Sequence, residues 1–112
     1  MNISFEQIGH QSVTFPAGAC TVGQPCKLDS QGKAVGCGNG DKFVGVVETL
    51  RGDYAGVQIH GFVTMTCSGS LPAPGMAGLS ANGNGGIKPD TAGKQYLVVA
   101  VDQSAGTITF EL

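Results

Sequence analysis

The chain has 112 residues, of which 12% are charged and 41% are hydrophobic, and its net charge is −2. This hydrophobic content excludes a disordered chain, and without a basic excess nucleic acid is not expected as a partner. No apolar run approaches the roughly 20 residues of a membrane-spanning helix. The first residues carry neither a basic region nor an apolar core, so we expect no signal peptide and synthesis in the cytosol.

Glycine and proline punctuate the whole chain, with 19 and 5 residues respectively. The longest stretch that lacks both covers residues 94–105, and its centre is aromatic and β-branched. An isolated helix needs about 12–15 residues to be marginally stable, and each interior glycine costs about 1 kcal/mol. We therefore predict a single all-β domain with almost no helix.

Ten short apolar stretches between turn residues are the predicted strands. In chain order they cover residues 12–15, 26–29, 33–35, 43–50, 57–60, 62–67, 78–80, 86–88, 95–101 and 107–110. The fifth and sixth alternate apolar and polar residues, which indicates one solvent-exposed face. Residues 68–75 are predicted to form a loop, and residues 102–106 a hairpin turn.

The two halves of the chain resemble each other. Each contains a glycine, a short strand, a glycine turn, a second short strand, a lysine, a long apolar strand and an acid, at an offset of about 51 to 54 residues. This alignment matches Leu28 with Leu79, and Glu48 with Asp102 as turn or cap residues. A β unit used twice favours a small β-barrel, a β-tulip or a sandwich. Chance similarity between glycine-rich strands is the alternative.

No motif indicates catalysis or a cofactor. His60 lies in an alternating strand, which favours a surface or interface position over the role of a catalytic base. A phosphate-binding loop needs Gly-Lys-Ser/Thr at the start of a helix. In the glycine-rich residues 36–42, Asp41 separates the glycine from Lys42, Phe43 follows in place of Ser or Thr, and the next predicted element is a strand. Residues 36–42 are therefore predicted to be a flexible turn, and the protein is predicted not to be an enzyme.

The four cysteines, Cys20, Cys26, Cys37 and Cys67, lack the Cys-x2–4-Cys hooks of zinc sites. Free thiols are the expectation in a reducing cytosol. A Cys20–Cys26 disulfide across the turn at residues 23–25 is one alternative, and a metal site is the other.

One further pattern runs through the whole chain. Residues 23–35 form a short strand, a glycine turn and a second strand, residues 40–48 a longer strand, and residues 55–64 lead into the second half. Over residues 12–112 this pattern resembles the small β-rich capsid decoration (cement) and head-fibre-base proteins of tailed bacteriophages. The resemblance implies a non-enzymatic virion protein that binds the major capsid protein on the outside of the shell, commonly as a homotrimer. Neither nucleic acid nor a membrane is expected as a partner, because the chain has no basic excess and no apolar run long enough to span a bilayer.

Two segments are candidates for partner binding. The single β domain is predicted to cover residues 12–112. Residues 1–11 form either an arm that adds a strand to a capsid subunit or the first strand of the domain itself. The apolar residues of that segment are Ile3, Phe5 and Ile8. Leu71 and Met76 are apolar residues within the predicted loop region at residues 70–76, which suggests a partner contact. The alternative is that both pack under the end of the domain.

A second function class competes with the virion interpretation. An adhesion or carbohydrate-binding module, such as a fibre base, would bind a saturable ligand through a cluster of exposed aromatic residues. The candidates for that cluster are Tyr54, Tyr96 and Phe62.

Overall fold

The computed structural model describes residues 9–112, so Ile3, Phe5 and Ile8 lie outside the described residues. Each predicted strand is present, and its ends lie within three residues of the expected ones. The strands are β1 (Gln11–Pro16), β2 (Pro25–Leu28), β3 (Ala34–Gly36), β4 (Gly45–Arg51), β5 (Tyr54–His60), β6 (Phe62–Thr66), β7 (Gly75–Ala81), β8 (Ile87–Pro89), β9 (Lys94–Asp102) and β10 (Thr107–Glu111). The described residues contain no helix, which confirms the all-β class.

The strands form two antiparallel sheets, one from each half of the chain. β1 to β5 pair in the order β1-β5-β4-β2-β3, and β6 to β10 pair in the order β6-β10-β9-β7-β8. We call these halves the first unit and the second unit. Strand for strand the two orders are the same, so the predicted repeat is present in the topology. Two sheets fit the predicted sandwich, and neither sheet is a closed barrel.

Strand pairing fixes which residues of the two units are equivalent, and it corrects the alignment made from the sequence. The pairing of β2 with β3 and of β7 with β8 makes Cys26, not Leu28, the counterpart of Leu79. A β-bulge interrupts β4 at Glu48 and β9 at Val99. Glu48 therefore corresponds to Val99 rather than to Asp102, and it lies within its strand. The alignment failed because β9 has two more residues than β4 before its bulge. Cys26 pairs with Gly45, one residue before Val46, whereas Leu79 pairs with Lys94, three residues before Leu97, so no single offset relates the units.

The turn between the two short strands repeats in detail. In the first unit, Oδ1 of Asp29 accepts hydrogen bonds from the backbone N–H groups two and four residues later. In the second unit, Oδ1 of Asn82 does the same. Both side chains form the local turn contacts that Asp and Asn favour. The repeat therefore extends from the sheet order to individual side-chain contacts.

Each unit buries its own apolar cluster at equivalent positions. The first-unit core contains Cys26, Ala34, Val47, Ala55 and Val57. The matching positions in the second-unit core are Leu79, Ile87, Val98, Ile108 and Phe110. At four of these five positions the second unit has the larger side chain. Since hydrophobic stabilisation grows with the apolar area buried, the second unit contributes more of it than the first.

The first unit inserts two side chains into the second-unit core, Phe43 and Val46. The ring of Phe43 stacks on Tyr96, with centroids 5.2 Å apart, and meets Phe110 edge-on at 6.2 Å. Phe43 was predicted to begin a strand, but β4 begins at Gly45. Because Phe43 lies in the preceding loop, its side chain is free of the strand alternation and reaches across to the other unit.

Polar contacts at equivalent places hold the loop before each long strand. Nζ of Lys27 donates to Asp41 at 2.6 Å, and Oγ of Ser80 donates to Asp90 at 2.8 Å. The pKa of Asp41 is lowered by the hydrogen bond from Lys27 and then by the backbone N–H of Gly38. Hydrogen bonds, first from Ser80, likewise lower the pKa of Asp90. Both contacts need an ionised carboxylate to be at full strength.

The free energy of unfolding is expected to fall as the pH drops below about 4. A carboxyl group whose pKa is lower in the folded chain stabilises the fold above its unfolded-state pKa. That stabilisation is lost as the pH falls through the folded-state pKa. Urea unfolding between about pH 7 and about pH 2 measures the effect. Asp41→Asn is expected to have a lower free energy of unfolding than the wild type at neutral pH and to lose less of it in acid. Asp53→Asn, which changes an exposed turn residue, is the control and is expected to show the wild-type dependence of this free energy on pH. A wild-type slope in Asp41→Asn would contradict this account.

Candidate binding surface

One row of side chains crosses four strands of the second sheet on the face opposite the second-unit core. Met76 of β7 pairs with Leu97 of β9. Leu97 pairs in turn with Glu111 of β10, and Glu111 pairs with Phe62 of β6. Directly paired residues point to the same face of a sheet. The four side chains therefore form a continuous row, which we call the outer row.

The outer row places apolar side chains in solvent. Met76 is 64% exposed and Leu97 is 41% exposed, whereas Tyr96 and Val98 on either side of Leu97 are buried. Side chains alternate between the faces of a strand, so Leu97 points away from the core on which its neighbours pack. Adjacent exposed apolar residues on a regular sheet face are typical of a surface that docks on a partner.

The first unit has an equivalent row, and two of its side chains are buried within one chain. The counterparts of Leu97, Glu111 and Phe62 are, in that order, Val46, Gln58 and Ser12. Val46 is buried in the second-unit core. The amide of Gln58 is buried and donates to the backbone carbonyls of His60 and Phe62, at 3.1 and 3.2 Å. At the positions of Leu97 and Glu111 the side chains are therefore exposed in the second unit and buried in the first, whereas Ser12 is exposed and Phe62 is half-buried.

The two residues proposed from the sequence for partner binding have different surroundings. Leu71 is half-buried and packs against the second-unit core, which matches the alternative that it belongs to the domain. Met76 was predicted in a loop, but it lies in β7, which begins at Gly75, and its side chain is exposed. Their role in binding stays a prediction. Leu97 was not among the predicted binding residues, although it lies beside Met76.

Among residues 9–112, the aromatic side chains do not gather into the exposed cluster that an adhesion module would need. Tyr96 is buried against Phe43 and Phe110, and burial raises its pKa to about 12, with a smaller contribution from Cys37. Tyr54 is 59% exposed but lies on β5 of the first unit. Among the described aromatic residues, Tyr96 therefore acts as a core residue, and the prediction that it could be exposed is wrong.

A serine, a histidine and a carboxylate meet at the bulge of β4. Nε2 of His10 lies 2.6 Å from Oε1 of Glu48, and the hydroxyl of Ser12 donates to Oε2 of Glu48 at 3.0 Å. Ser12 also lies 3.3 Å from Nε2 of His10. In a catalytic triad the acid and the nucleophile contact opposite ring nitrogens, whereas here both contact Nε2. The cluster therefore connects the start of β1 to β4 without the geometry of an activated nucleophile.

The four cysteines are free thiols. Burial, with smaller contributions from the nearby Cys37 and Cys20, raises the pKa of Cys26 to about 12. Burial also raises the pKa of Cys37 to about 11. A thiol with a raised pKa is a poor nucleophile and a poor metal ligand, because both roles require the thiolate. Among residues 9–112, no group of three or more His, Cys, Asp or Glu side chains could hold a metal ion.

Comparison with protein-family models, with curated proteins and with solved structures gave no match. The functional interpretation therefore depends on the residues and the geometry of this chain. In the part of the chain that the structure describes, no helix is long and apolar enough to cross a membrane.

Proposed function

We propose that this protein is a non-enzymatic structural protein of a tailed-bacteriophage virion. In this proposal it binds the major capsid protein on the outer surface of the shell, as a homotrimer, and stabilises the shell as a decoration protein. The proposal starts from the resemblance of residues 12–112 to phage cement and head-fibre-base proteins.

The observation that carries the proposal is the outer row with its exposed Met76 and Leu97. These side chains lie on a regular strand pair, β7 with β9, rather than on a loose loop. The centres of protein interfaces are poor in charged residues and rich in large apolar ones, methionine included. The outer row contains one charged side chain, Glu111, so docking on the whole row removes a single carboxylate from water.

A small contact surface is sufficient for this function, because a capsid presents the same site many times. Copies that also associate with one another bind the shell at several points, and their effective affinity exceeds that of one contact. Contacts that bridge neighbouring shell subunits stabilise the assembled shell over its dissociated parts by mass action.

The copy number in purified particles tests the proposal. Quantitative mass spectrometry of particles from the source is expected to give about one copy of this chain per major shell protein. A few copies per particle would indicate a fibre or a vertex protein. Complete absence from particles would contradict the virion function, and a screen for a saturable ligand would then test the adhesion alternative.

The purified protein gives a second measurement. Shells that lack it are expected to bind it in co-sedimentation and to disassemble at a higher temperature once it is bound. Shells mixed with the folded variant Met76→Asp, which places a charge in the outer row, serve as the control for nonspecific adsorption. Binding that leaves the disassembly temperature unchanged would support attachment but would contradict stabilisation.

A further inference from the structure

We propose that Asn84 is a site of spontaneous deamidation, at which the folded chain converts an asparagine into aspartate and isoaspartate. Asn84 lies in the turn between β7 and β8, at residues 82–86. The reaction takes place within one chain and is independent of the proposed function.

Deamidation is fastest where glycine follows asparagine, because glycine has no side chain to obstruct the attack. The backbone nitrogen of the glycine gives its proton to water or hydroxide and attacks the side-chain carbonyl carbon of the asparagine. A bond forms between this nitrogen and Cγ, the Cγ–Nδ2 bond breaks, and the amide nitrogen takes a proton from water and leaves as ammonia. Water then opens the five-membered succinimide ring at one of its two carbonyl carbons, which gives aspartate or isoaspartate.

The chain contains three Asn-Gly sequences, which begin at Asn39, Asn82 and Asn84. At the first of them the attacking nitrogen is occupied. The N–H of Gly40 donates to the backbone carbonyl of Ala81 at 2.8 Å. The hydrogen bond must break before this nitrogen can lose its proton, so the fold protects Asn39.

Asn82 is protected in a different way, because its side chain is held in place. Oδ1 accepts the backbone N–H groups of residues 84 and 86, at 2.7 and 3.1 Å. Nδ2 donates more weakly to Oγ of Ser68 at 3.4 Å and to the carbonyl of Ile87 at 3.5 Å. Attack by Gly83 requires the amide to rotate out of these contacts, and their loss opposes the rotation.

Asn84 has neither form of protection. Its side chain is exposed, and within residues 9–112 the structure shows no hydrogen bond from its amide or from the N–H of Gly85. The side-chain amide of Gln24 lies beside Gly85, but the end of a flexible side chain can move aside. Asn84 is therefore the asparagine at which both the amide and the attacking nitrogen are free to react.

The first unit has the same turn at residues 29–33 without the reactive pair. In both turns the first backbone N–H donates to the last carbonyl, at 3.0 Å in the first unit and 3.1 Å in the second. Gln31 stands in the place of Asn84 and is again followed by a glycine with positive φ. A glutamine reacts far more slowly, because its longer side chain has to close a six-membered ring. The N–H of that glycine is also bonded, to the carbonyl of Asp29 at 3.0 Å.

The two products differ in their effect on the turn. Both add a carboxylate, but isoaspartate also routes the main chain through the side chain, which lengthens the backbone by one carbon atom. The turn has little room for this, because the backbone of Asn39 in the first unit lies against Gly83. Isoaspartate is therefore expected to lower the thermal midpoint, whereas Asn84→Asp, which adds the exposed charge alone, is expected to keep it.

Peptide mapping by mass spectrometry tests the proposal, with fragment ions that separate residues 82 and 84. The full chain is incubated at mildly alkaline pH, once folded and once unfolded in urea. In the folded chain Asn84 is expected to convert about tenfold or more faster than Asn39 and Asn82, which react only when their contacts open. In urea these contacts are absent, so the three sites are expected to convert at similar rates.

Asn84→Gln is the matched control, because it introduces the residue that the first unit has in the same place. It is expected to abolish the fast conversion of the folded chain and to leave Asn39 and Asn82 at their slow rates. Two results would overturn the inference. One is an unmodified Asn84 in the folded chain, which would show that the turn protects this residue as well. The other is an equal rate at all three sites in the folded chain, which would show that their contacts do not control the reaction.

Discussion

Phe43→Ala is expected to destabilise the protein by about 3–5 kcal/mol, as measured by urea unfolding. The side chain is buried in the second-unit core, stacked on Tyr96 and in edge contact with Phe110. Its removal leaves a cavity where the two units meet. Within residues 9–112, Phe43 and Val46 are the first-unit side chains fully buried in that core, and Cys37 packs against it, so the change is also expected to reduce the coupling between the units. Calorimetry should then show a broadened or divided transition.

Phe15→Ala is the control for this prediction. It removes the same side chain from a half-buried position against the first-unit core, away from the junction. We expect a smaller loss of stability and a single transition. A Phe43→Ala variant that unfolds in one sharp transition, within about 1 kcal/mol of the wild type, would show that Phe43 does not hold the units together.

Gly93→Ala is expected to be destabilised by about 3 kcal/mol or more, or not to fold. A methyl group at Gly93 would meet the backbone carbonyl oxygen of Leu79, and it would lie 2.7 Å from the carbonyl carbon and 3.0 Å from the nitrogen of the same residue. These atoms belong to the backbone of β7, so they cannot move aside as the end of a flexible side chain does. The cost is steric, because the φ of Gly93 lies outside the left-handed region.

Gly36→Ala is the matched control. The nearest atom to the added methyl group there is the carbonyl oxygen of Ala19 at 3.5 Å, an ordinary contact, and φ is again outside the left-handed region. Substituting alanine for glycine in open space stabilises by about 0.4–1 kcal/mol, because the unfolded chain loses freedom. The two variants should therefore shift the thermal midpoint in opposite directions. Equal shifts would contradict the assigned contact between Gly93 and Leu79.

The strands could be predicted from the sequence because glycine and proline restrict each element to a short length. Between these residues the apolar stretches are too short for helices, and their β-branched residues favour strands. The repeat was also detectable, because both units use the same order of glycine turns and strands. Its register was not, because matching identical residues paired Leu28 with Leu79. Cys26 is the true counterpart of Leu79, and a small cysteine gives no sign that it fills the position of a leucine.

The outer row could be predicted only in part. Met76 was noticed because it is an apolar residue in a predicted loop region, where solvent-facing residues are expected. Leu97 was not, because it lies in the continuous apolar run of residues 95–101, and such a run hides which side chains face outward. Val46 likewise lies in the predicted strand at residues 43–50, whose pattern did not show that its side chain faces the other unit. Sheet pairing was needed to separate these faces, and the resemblance to phage proteins gave no information on them.

The confinement of each sheet to one half of the chain has a consequence for synthesis. The ribosome releases residues 11–60 first, and they include every strand of the first sheet. This sheet can pair fully before β6 emerges, in keeping with the domain-by-domain folding of nascent chains. During that interval Phe43 and Val46 have no second-unit core to enter, so the nascent chain exposes two large apolar side chains beside each other. We expect trigger-factor-type chaperones to bind the chain most strongly in this window, and to be released once β10 completes the second sheet.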